Sequence, residues 1–310
     1  MEYTKLFNAS DVPATSRERV APKSTFGDRR DGRIYIYDAE TELAVNLALA
    51  ADRPLLVRGP SGSGKSSLAQ SVAFIKGWRY YEAVISSRSQ AEDLLWRFDA
   101  VRRLSDALDA ARDVSARSRY LEPGVLWWAF DRESARQQTG AADPTPWPAS
   151  ASNSRAVVLI DEIDKADPDV PNNLLVPLGS LRFSVPDLQF EVRATEAPLV
   201  IITTNDERDL PNAFLRRCVV TSLHRPSHQR LVDIASAHFG SDPASLYDVI
   251  ADVLEEIAVV KEKRGLPAPS TAEYLDAIAV CAKLAIVPDD TNAEWRAVVA
   301  SMFMKARMSQ

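Results

Sequence analysis

Two hydrophobic rhythms divide the 310-residue chain. Up to Pro226, short runs of consecutive apolar residues alternate with segments whose apolar positions recur every three or four residues; beyond it only the helical spacing continues. RPLLVRG (53–59), RYYEAVI (79–85), AVVLI (156–160) and APLVIITT (197–204) read as strands, the last two apolar almost throughout. Strands buried on both faces and separated by helices predict a parallel sheet covered on two sides. AETELAVNLALAAD, with Leu43, Val45, Leu47 and Leu49, predicts a helix ahead of the first strand, and another begins at Lys65. DLLWRFDAVRRLSDALDAAR (93–112) places Leu94, Phe98, Val101, Leu104 and Leu108 in one stripe, which predicts a single helix packed on the core. SLRFSVPDLQFEVRA (180–194) alternates on either side of Pro186-Asp187 and predicts a hairpin.

Past Pro226 four helical segments follow: SHQRLVDIASAHF, LYDVIADVLEEIAVVKEKR, STAEYLDAIAVCAKLA and AEWRAVVASMFMKAR. The second carries Leu246, Val249, Ile250, Val253, Leu254 and Ile257 on one face, and Ser270 with Glu273 forms a capping box at the start of the third. The expected organisation is an N-terminal arm over 1–33, an α/β domain over 34–226 whose parallel sheet has helices on both faces, and an all-helical domain over 227–310. TGAADPTPWPASASNS (139–154), without period and rich in Pro, Ser and Ala, is the clearest expected loop.

Composition narrows the function classes. With 46% hydrophobic and 26% charged residues the chain is an ordinary globular protein, and its net charge of -6 speaks against a general nucleic-acid binder. No run approaches eighteen apolar residues and no apolar segment follows a basic start, so a cytoplasmic protein without membrane insertion is expected. Cys218 and Cys281 match no metal or redox spacing and are expected to be buried reduced thiols. His224 and His228 flank Pro226 without a third ligand nearby, so they are not read as a zinc site.

Chemistry enters at GPSGSGKS (59–66), which is G-x-x-x-x-G-K-[ST] between a predicted strand and a predicted helix. A loop that cradles phosphates must turn backbone N–H groups inward with no side chain in the way, which Gly62 and Gly64 permit, and the helix N-terminus adds positive potential. The expected nucleotide-binding residues are Gly59, Pro60, Ser61, Gly62, Ser63, Gly64, Lys65, Ser66 and Ser67, with ATP as ligand. Lys65 would reach the β- and γ-phosphates and Ser66 would ligate Mg²⁺; the plain alternative is a flexible Gly/Ser turn. Asp161 falls at the C-terminal end of an apolar strand, where open α/β sheets place their ligands, and would hold Mg²⁺ through its water shell. Glu162 beside it would take a proton from the attacking water. A lone Asp-Glu pair is usually a charged strand end; behind a P-loop it reads as catalytic. Asp164 and Asp167 read as solvent-facing or structural. Asn205 closes PLVIITTN: if that strand lies between those carrying the P-loop and Asp161, its amide can orient the water, and otherwise it is a turn former. LPNAFLRRC sets Arg216 beside Arg217, either a solvated surface cluster or a pair aimed at a polyanion the chain does not itself hold.

This order of motifs resembles the AAA+ ATPases, and "AVNLALAADRPLLVRGPSGSGKSSLAQ", "DEIDKAD" and "LPNAFLRRC" are similar to the MoxR group and its relatives in the dynein-related branch. The likeness covers about 34–226 by motif order and the region after it only by helical character, which implies a P-loop NTPase fold with a helical lid. It implies that Lys65 and Ser66 form the first nucleotide motif, Asp161 and Glu162 the second, and Asn205 the first sensor. It also implies that Arg216 or Arg217 is an arginine finger reaching a neighbouring subunit of a ring, expected to be a hexamer. An insert over about 99–121 and the hairpin over about 180–194 would face the ring's pore, with Arg182, Phe183, Phe190 and Arg193 as candidate substrate contacts; the alternative is a solvated helix and an ordinary hairpin. Trp127 and Trp128 in PGVLWWAF are not expected to share one core from a helix, so one would meet the lid or a neighbour, unless both are separate packing residues. One departure stands out: APSTAEYLDA (268–277) lacks the arginine that the family often carries as a second sensor, and Arg264 is the candidate substitute.

Three functions fit these residues. The favoured one is an ATP-driven, chaperone-like ring that remodels a partner, for which the resemblance implies a separate von Willebrand factor A-type protein. The alternative is a nucleic-acid motor or the ATPase module of a DNA-restricting system, which would need a basic pore. The third is a small-molecule kinase, which would not need the acidic pair, Asn205 and the arginines in this order.

Overall fold

The computed structural model describes residues 3–12, 33–108, 114–139, 143–144, 155–241 and 245–304. They form two compact units. The first gathers the described residues of Met1–Ala21, Tyr37–Arg58 and Ser66–Ser222; the second gathers those of Pro22–Ile36, Gly59–Lys65 and Leu223–Gln310.

The first unit starts with α1 (Ala39–Ala51), capped by Asp38, whose side chain accepts the Thr41 N–H at 2.6 Å. Strands β1 (Leu55–Arg58) and β2 (Arg79–Val84) flank α2 (Lys65–Lys76), and α3 (Ala91–Leu95), β3 (Trp96–Phe98) and α4 (Ala100–Ala107) follow. Then come β4 (Leu121–Pro123), α5 (Val125–Phe130), α6 (Arg132–Thr139), β5 (Ala156–Asp161), α7 (Asp169–Asn173) and α8 (Leu175–Ser180). The unit ends with β6 (Arg182–Val185), β7 (Phe190–Arg193), β8 (Leu199–Thr204), α9 (Asn212–Leu215) and β9 (Val219–Ser222). The main sheet has the order β2-β5-β8-β1-β9 and is parallel throughout. Its central strands β5 and β8 are the two most apolar runs in the sequence. They are buried along their whole length except at Asp161, as strands covered on both faces must be. The hairpin is present, pairing β6 with β7 in the register Arg182↔Arg193 to Val185↔Phe190.

Three expectations about packing are corrected. The stripe over 93–112 is not one helix: residues 96–98 pair with 121–123 as an antiparallel ribbon, and the helix restarts only after Asp99, whose side chain caps it at Arg102. The apolar residues of that stripe therefore serve different masters. Leu94 is buried from α3 and Phe98 lies edge-on to Tyr120, while α4 has no buried residue and leaves Val101, Leu104 and Leu108 exposed. Residues 109–113, the end of the expected helix, lie outside the described residues, as do most of the expected loop over 139–154 and residues 13–32 of the arm. Trp127 and Trp128 do share one core. From Leu126 to Phe130 every residue of α5 is buried, because this short helix lies between the sheet strands β2 and β5 and a second layer that includes α3, α6 and β7. Phe183 is likewise core, stacked edge-on against Trp127 at 6.2 Å and tilted against Phe130 at 6.0 Å, so it is not free to touch a substrate. Phe190, exposed, stacks on Trp127 at 6.4 Å, and Arg182 pairs with Glu191.

The arm is anchored at its start. Phe7 is fully buried, and the Asn46 side chain on α1 accepts the Leu6 and Phe7 N–H groups at 2.7 and 2.8 Å while donating to the Phe7 and Glu42 carbonyls. Both ends of one amide are thus satisfied inside the protein.

The second unit packs α10 (His228–Phe239), α11 (Leu246–Lys263), α12 (Thr271–Leu284) and α13 (Ala293–Val298), continued by a π-helical turn over Val299–Met304, around Leu231, Ile250, Leu254, Tyr274, Ile278 and Trp295. The capping box of α12 forms as read from the sequence: Ser270 Oγ accepts the Glu273 N–H, and Glu273 accepts the Ser270 N–H. Cys281 is buried here and Cys218 half-buried in the first unit; both are free thiols, and burial pushes the Cys218 thiol up to about 12. Among the described residues no helix is long and apolar enough to cross a membrane.

Asn46→Ala is expected to cost about 2–3 kcal/mol, since it strands the buried N–H and carbonyl of Phe7 together with the part-buried Leu6 N–H. Urea unfolding measures the loss, and limited proteolysis should show earlier cleavage before residue 12.

Candidate nucleotide site

In an open parallel sheet the chemistry gathers beyond the carboxyl ends of the strands. The register of this sheet decides which side chains arrive there together. β8 lies between β1 and β5, with Val57 opposite Thr203 and Ile160 opposite Ile202. The next step of that register brings Asp161 level with Thr203, and the Thr203 hydroxyl donates to Asp161 Oδ1. The same hydroxyl accepts the Glu162 N–H at 2.8 Å. Thr203 is completely buried, so its two bonds tie the acidic strand end of β5 to β8 with no competition from water.

Ser66, in the first turn of α2, donates to Asp161 with both carboxylate oxygens at 2.9 Å. A hydroxyl and a carboxylate from elements 95 residues apart in sequence thus meet in one place. Together they are an all-oxygen donor set of the kind a hard divalent cation takes.

The P-loop, Gly59–Lys65, has the backbone its glycines allow. Gly62 and Gly64 have φ of 73° and 93°, in the left-handed region that L side chains rarely enter. A Cβ added at Gly62 would also fall 2.5 Å from the Cβ of Ser270, so the loop has no room for a side chain at that point. Lys65 is 6% exposed and its ammonium donates to the carbonyls of Gly59 and Pro60, each at 2.8 Å. A buried cation satisfied by loop carbonyls, beside a glycine cradle, suits an anion with several oxygens.

Glu162 leaves β5 with a φ of 60°, a conformation uncommon for a residue with a side chain. Its carboxylate has two partners: Asn205 Nδ2 donates to Oε1 at 3.2 Å and Lys165 donates to Oε2 at 2.7 Å. The Glu162 carboxylate in turn raises the Lys165 ammonium above the ordinary lysine range. The condition placed on Asn205 by the sequence is therefore met, because β8 does lie between β1 and β5. Arg216 and Arg217 close α9, both exposed. Arg217 donates back to the Ala213 carbonyl at 3.3 Å, whereas Arg216 has no side-chain partner among the described residues. Arg264, also exposed, ends α11.

Two members of this cluster were missed by sequence reasoning, and a third was seen without its partners. Thr203 and Lys165 gave no signal, the first hidden in an apolar run and the second one charge among many. Asp164 was read as structural or solvent-facing, and it is structural: 2% exposed, it accepts the N–H groups of Asn205 and Glu207. An acidic residue three after Asp161 was the available signal, but nothing in the sequence said which backbone it would hold.

Thr203→Val keeps the shape and removes the hydroxyl, leaving the Glu162 N–H without its partner. The expected loss is about 1–3 kcal/mol, read from the thermal unfolding midpoint, whereas Thr204→Val should cost less.

No curated protein matches this chain. Among solved structures, that of a candidate ATPase from Cytophaga hutchinsonii ATCC 33406 has 11% identity and a TM-score of 0.43 over 88% of this chain and 83% of the other, too distant to carry an inference. The family described as AAA domain (dynein-related subfamily) matches residues 54–218, more than half of the chain, from the strand before the P-loop to the cysteine after the paired arginines. The match takes in the glycine cradle, the acidic end of β5 and Asn205 alike, and on it the chain belongs to the dynein-related subfamily of AAA domains and is an ATPase.

Proposed function

We propose that the protein is a cytoplasmic, MoxR-type ring ATPase, with an α/β domain over 34–226 and a helical lid over 227–310, that uses ATP hydrolysis to remodel or activate a separate partner protein. A von Willebrand factor A-type protein is the proposed partner and a hexamer the proposed ring. The observation that carries the reading of the site is the single cluster in which Ser66, Thr203 and Asp161 meet while Asn205 bonds Glu162.

The roles follow from the chemistry of each group. Backbone N–H groups around Gly62 and Gly64 cradle the phosphates, and the Lys65 ammonium exchanges its two loop carbonyls for phosphate oxygens. Ser66 and Asp161 are the residues that would hold Mg²⁺, whose charge offsets that of the β- and γ-phosphates when bound. Glu162 takes the proton from the water as its oxygen bonds to the γ-phosphorus and ADP departs. Asn205, already hydrogen-bonded to the Glu162 carboxylate, fixes where that water can sit. Lys165 holds the other carboxylate oxygen and limits the rotamers open to the base.

Arg216 is the proposed finger. A planar guanidinium without a side-chain partner among the described residues can extend to the transferred phosphoryl group of a neighbour, while Arg217 is drawn back onto its own helix. Arg182 and Arg193, exposed on the hairpin, remain proposed contacts for the partner.

Lys65→Ala is expected to abolish tight nucleotide binding in a fluorescent-nucleotide titration. Glu162→Gln should keep that binding and lower turnover by about 10²-fold or more. The test of the ring is the ATPase rate per protomer as protein concentration is raised over about two decades. It should climb for wild type and Arg217→Ala and stay about 10³-fold lower for Arg216→Ala. A rate that is flat with concentration and unaffected by Arg216→Ala would instead identify a self-contained NTPase, or a kinase if phosphate appears on an acceptor.

A further inference from the structure

The side chain of Asp164 does something no nucleotide motif requires of it. It is 2% exposed, in the turn Ile163–Lys165 directly after the acidic strand end. Its Oδ2 accepts two backbone N–H groups from the far side of the next strand, Asn205 at 3.1 Å and Glu207 at 2.9 Å. Its Oδ1 has no hydrogen-bond partner among the described residues. The segment it grips is a tight one: Asp206, between the two donors, has a φ of 58°, and its N–H is taken by Thr204 Oγ1 at 3.0 Å. Asp206 in turn pairs with Arg58 at the end of β1. One carboxylate oxygen therefore fixes the backbone from which the Asn205 side chain springs, and that side chain reaches Glu162 Oε1.

We propose that Asp164 is a positioning residue for hydrolysis: it sets the Asn205–Glu207 turn so that the Asn205 amide is held against the carboxylate of Glu162. The inference rests on the reading of Glu162 as base and Asn205 as its polar partner. Asp164 touches neither nucleotide nor water in this scheme and acts only through the backbone of Asn205. The tie bridges 41 and 43 residues of sequence, so it couples the turn after β5 to the turn after β8. A displacement of the amide of about 1 Å is enough to cost on the order of 10²-fold in rate when the amide orients a reactant.

The test compares Asp164→Ala and Asp164→Asn with wild type, using Mg-ATP turnover and the affinity for a fluorescent ATP analogue. Asp164→Ala should lower kcat by about 10- to 100-fold while the analogue's Kd stays within about threefold, and Asp164→Asn, whose amide oxygen can accept the same two N–H groups, should recover most of kcat. Hydrogen exchange at the Asn205 and Glu207 amides should be faster in Asp164→Ala and near wild type in Asp164→Asn, while the amides of β1 and β2 keep their wild-type rates in both, which separates a local release from loss of fold. Equal kcat in Asp164→Ala and wild type, or unchanged exchange at both amides, overturns the proposal; so does a fall in kcat matched by an equal loss of binding. Glu162→Gln and Asn205→Ala run in parallel separate the two layers. If they leave kcat intact the reading of the site fails, and if they abolish it while Asp164→Ala does not, only the role of Asp164 fails.

Discussion

One buried hydroxyl settles the alignment on which the site depends. β8 is apolar along most of its length and completely buried, so Thr203 must find its partners inside the protein, and it finds them on the neighbouring strand: Asp161 as acceptor and the Glu162 N–H as donor. A slip of β8 by one residue against β5 would turn Thr203 to the other face and bring an isoleucine or Thr204 to the acidic end instead. Register and chemistry are thus one constraint. The apolar residues supply the drive to bury the strands, but apolar burial alone tolerates sliding; the hydroxyl pair selects a single alignment.

From that alignment the polar groups spread outward in a fixed order. Asp161 is level with the sheet and bonded to Ser66; Glu162, one residue on, has already left the strand in a left-handed conformation. Such a conformation costs of order 1 kcal/mol for a residue with a Cβ and persists only where the surroundings hold it. Here the N–H is held by Thr203 and the carboxylate by Asn205 and Lys165. The bend carries the carboxylate out of the plane of strand ends, and the short turn Ile163–Lys165 then sends Asp164 back inward. Two adjacent acidic residues so acquire different surroundings, Asp161 among hydroxyls and Glu162 between an amide and an ammonium, the separation that the proposed roles of cation holding and proton transfer require.

Legibility in the sequence followed the range of the interaction. Local and periodic features were readable: the consecutive apolar runs of β5 and β8, the hairpin around Pro186, the capping box of Ser270 and Glu273, and the glycine spacing of the P-loop. Features that need two distant segments were not. Asn46 looks like any polar residue on a helix until Leu6 and Phe7 are laid against it, and Thr203 looks like a β-former. Asp164 is legible as structural, but not the backbone it holds, since its partners lie more than forty residues away. The distinction between Arg216 and Arg217 is likewise invisible in a string, because it depends on the bond that Arg217 makes to the Ala213 carbonyl.

The misread stripe over 93–112 and the misread tryptophans make one further point about cores. Val101, Leu104 and Leu108 have the spacing of a buried helix face and are exposed, whereas Trp127 and Trp128 are adjacent and both buried. Periodicity reports which residues share a face; whether another element covers that face is decided elsewhere. α5 is covered because β2, β5, α3, α6 and β7 all pack against it, and the indole N–H of Trp127 is satisfied by Ser134 at 2.8 Å, so nothing polar argues against its burial. α4 has no buried residue, and its ties to neighbouring residues include the cap at Asp99, a hydrogen bond from Tyr120 to Asp106 and the Arg103 guanidinium over the Phe98 ring. A helix of eight residues gains little from its own hydrogen bonds in water, so these local ties, rather than a core contact, hold α4 in place.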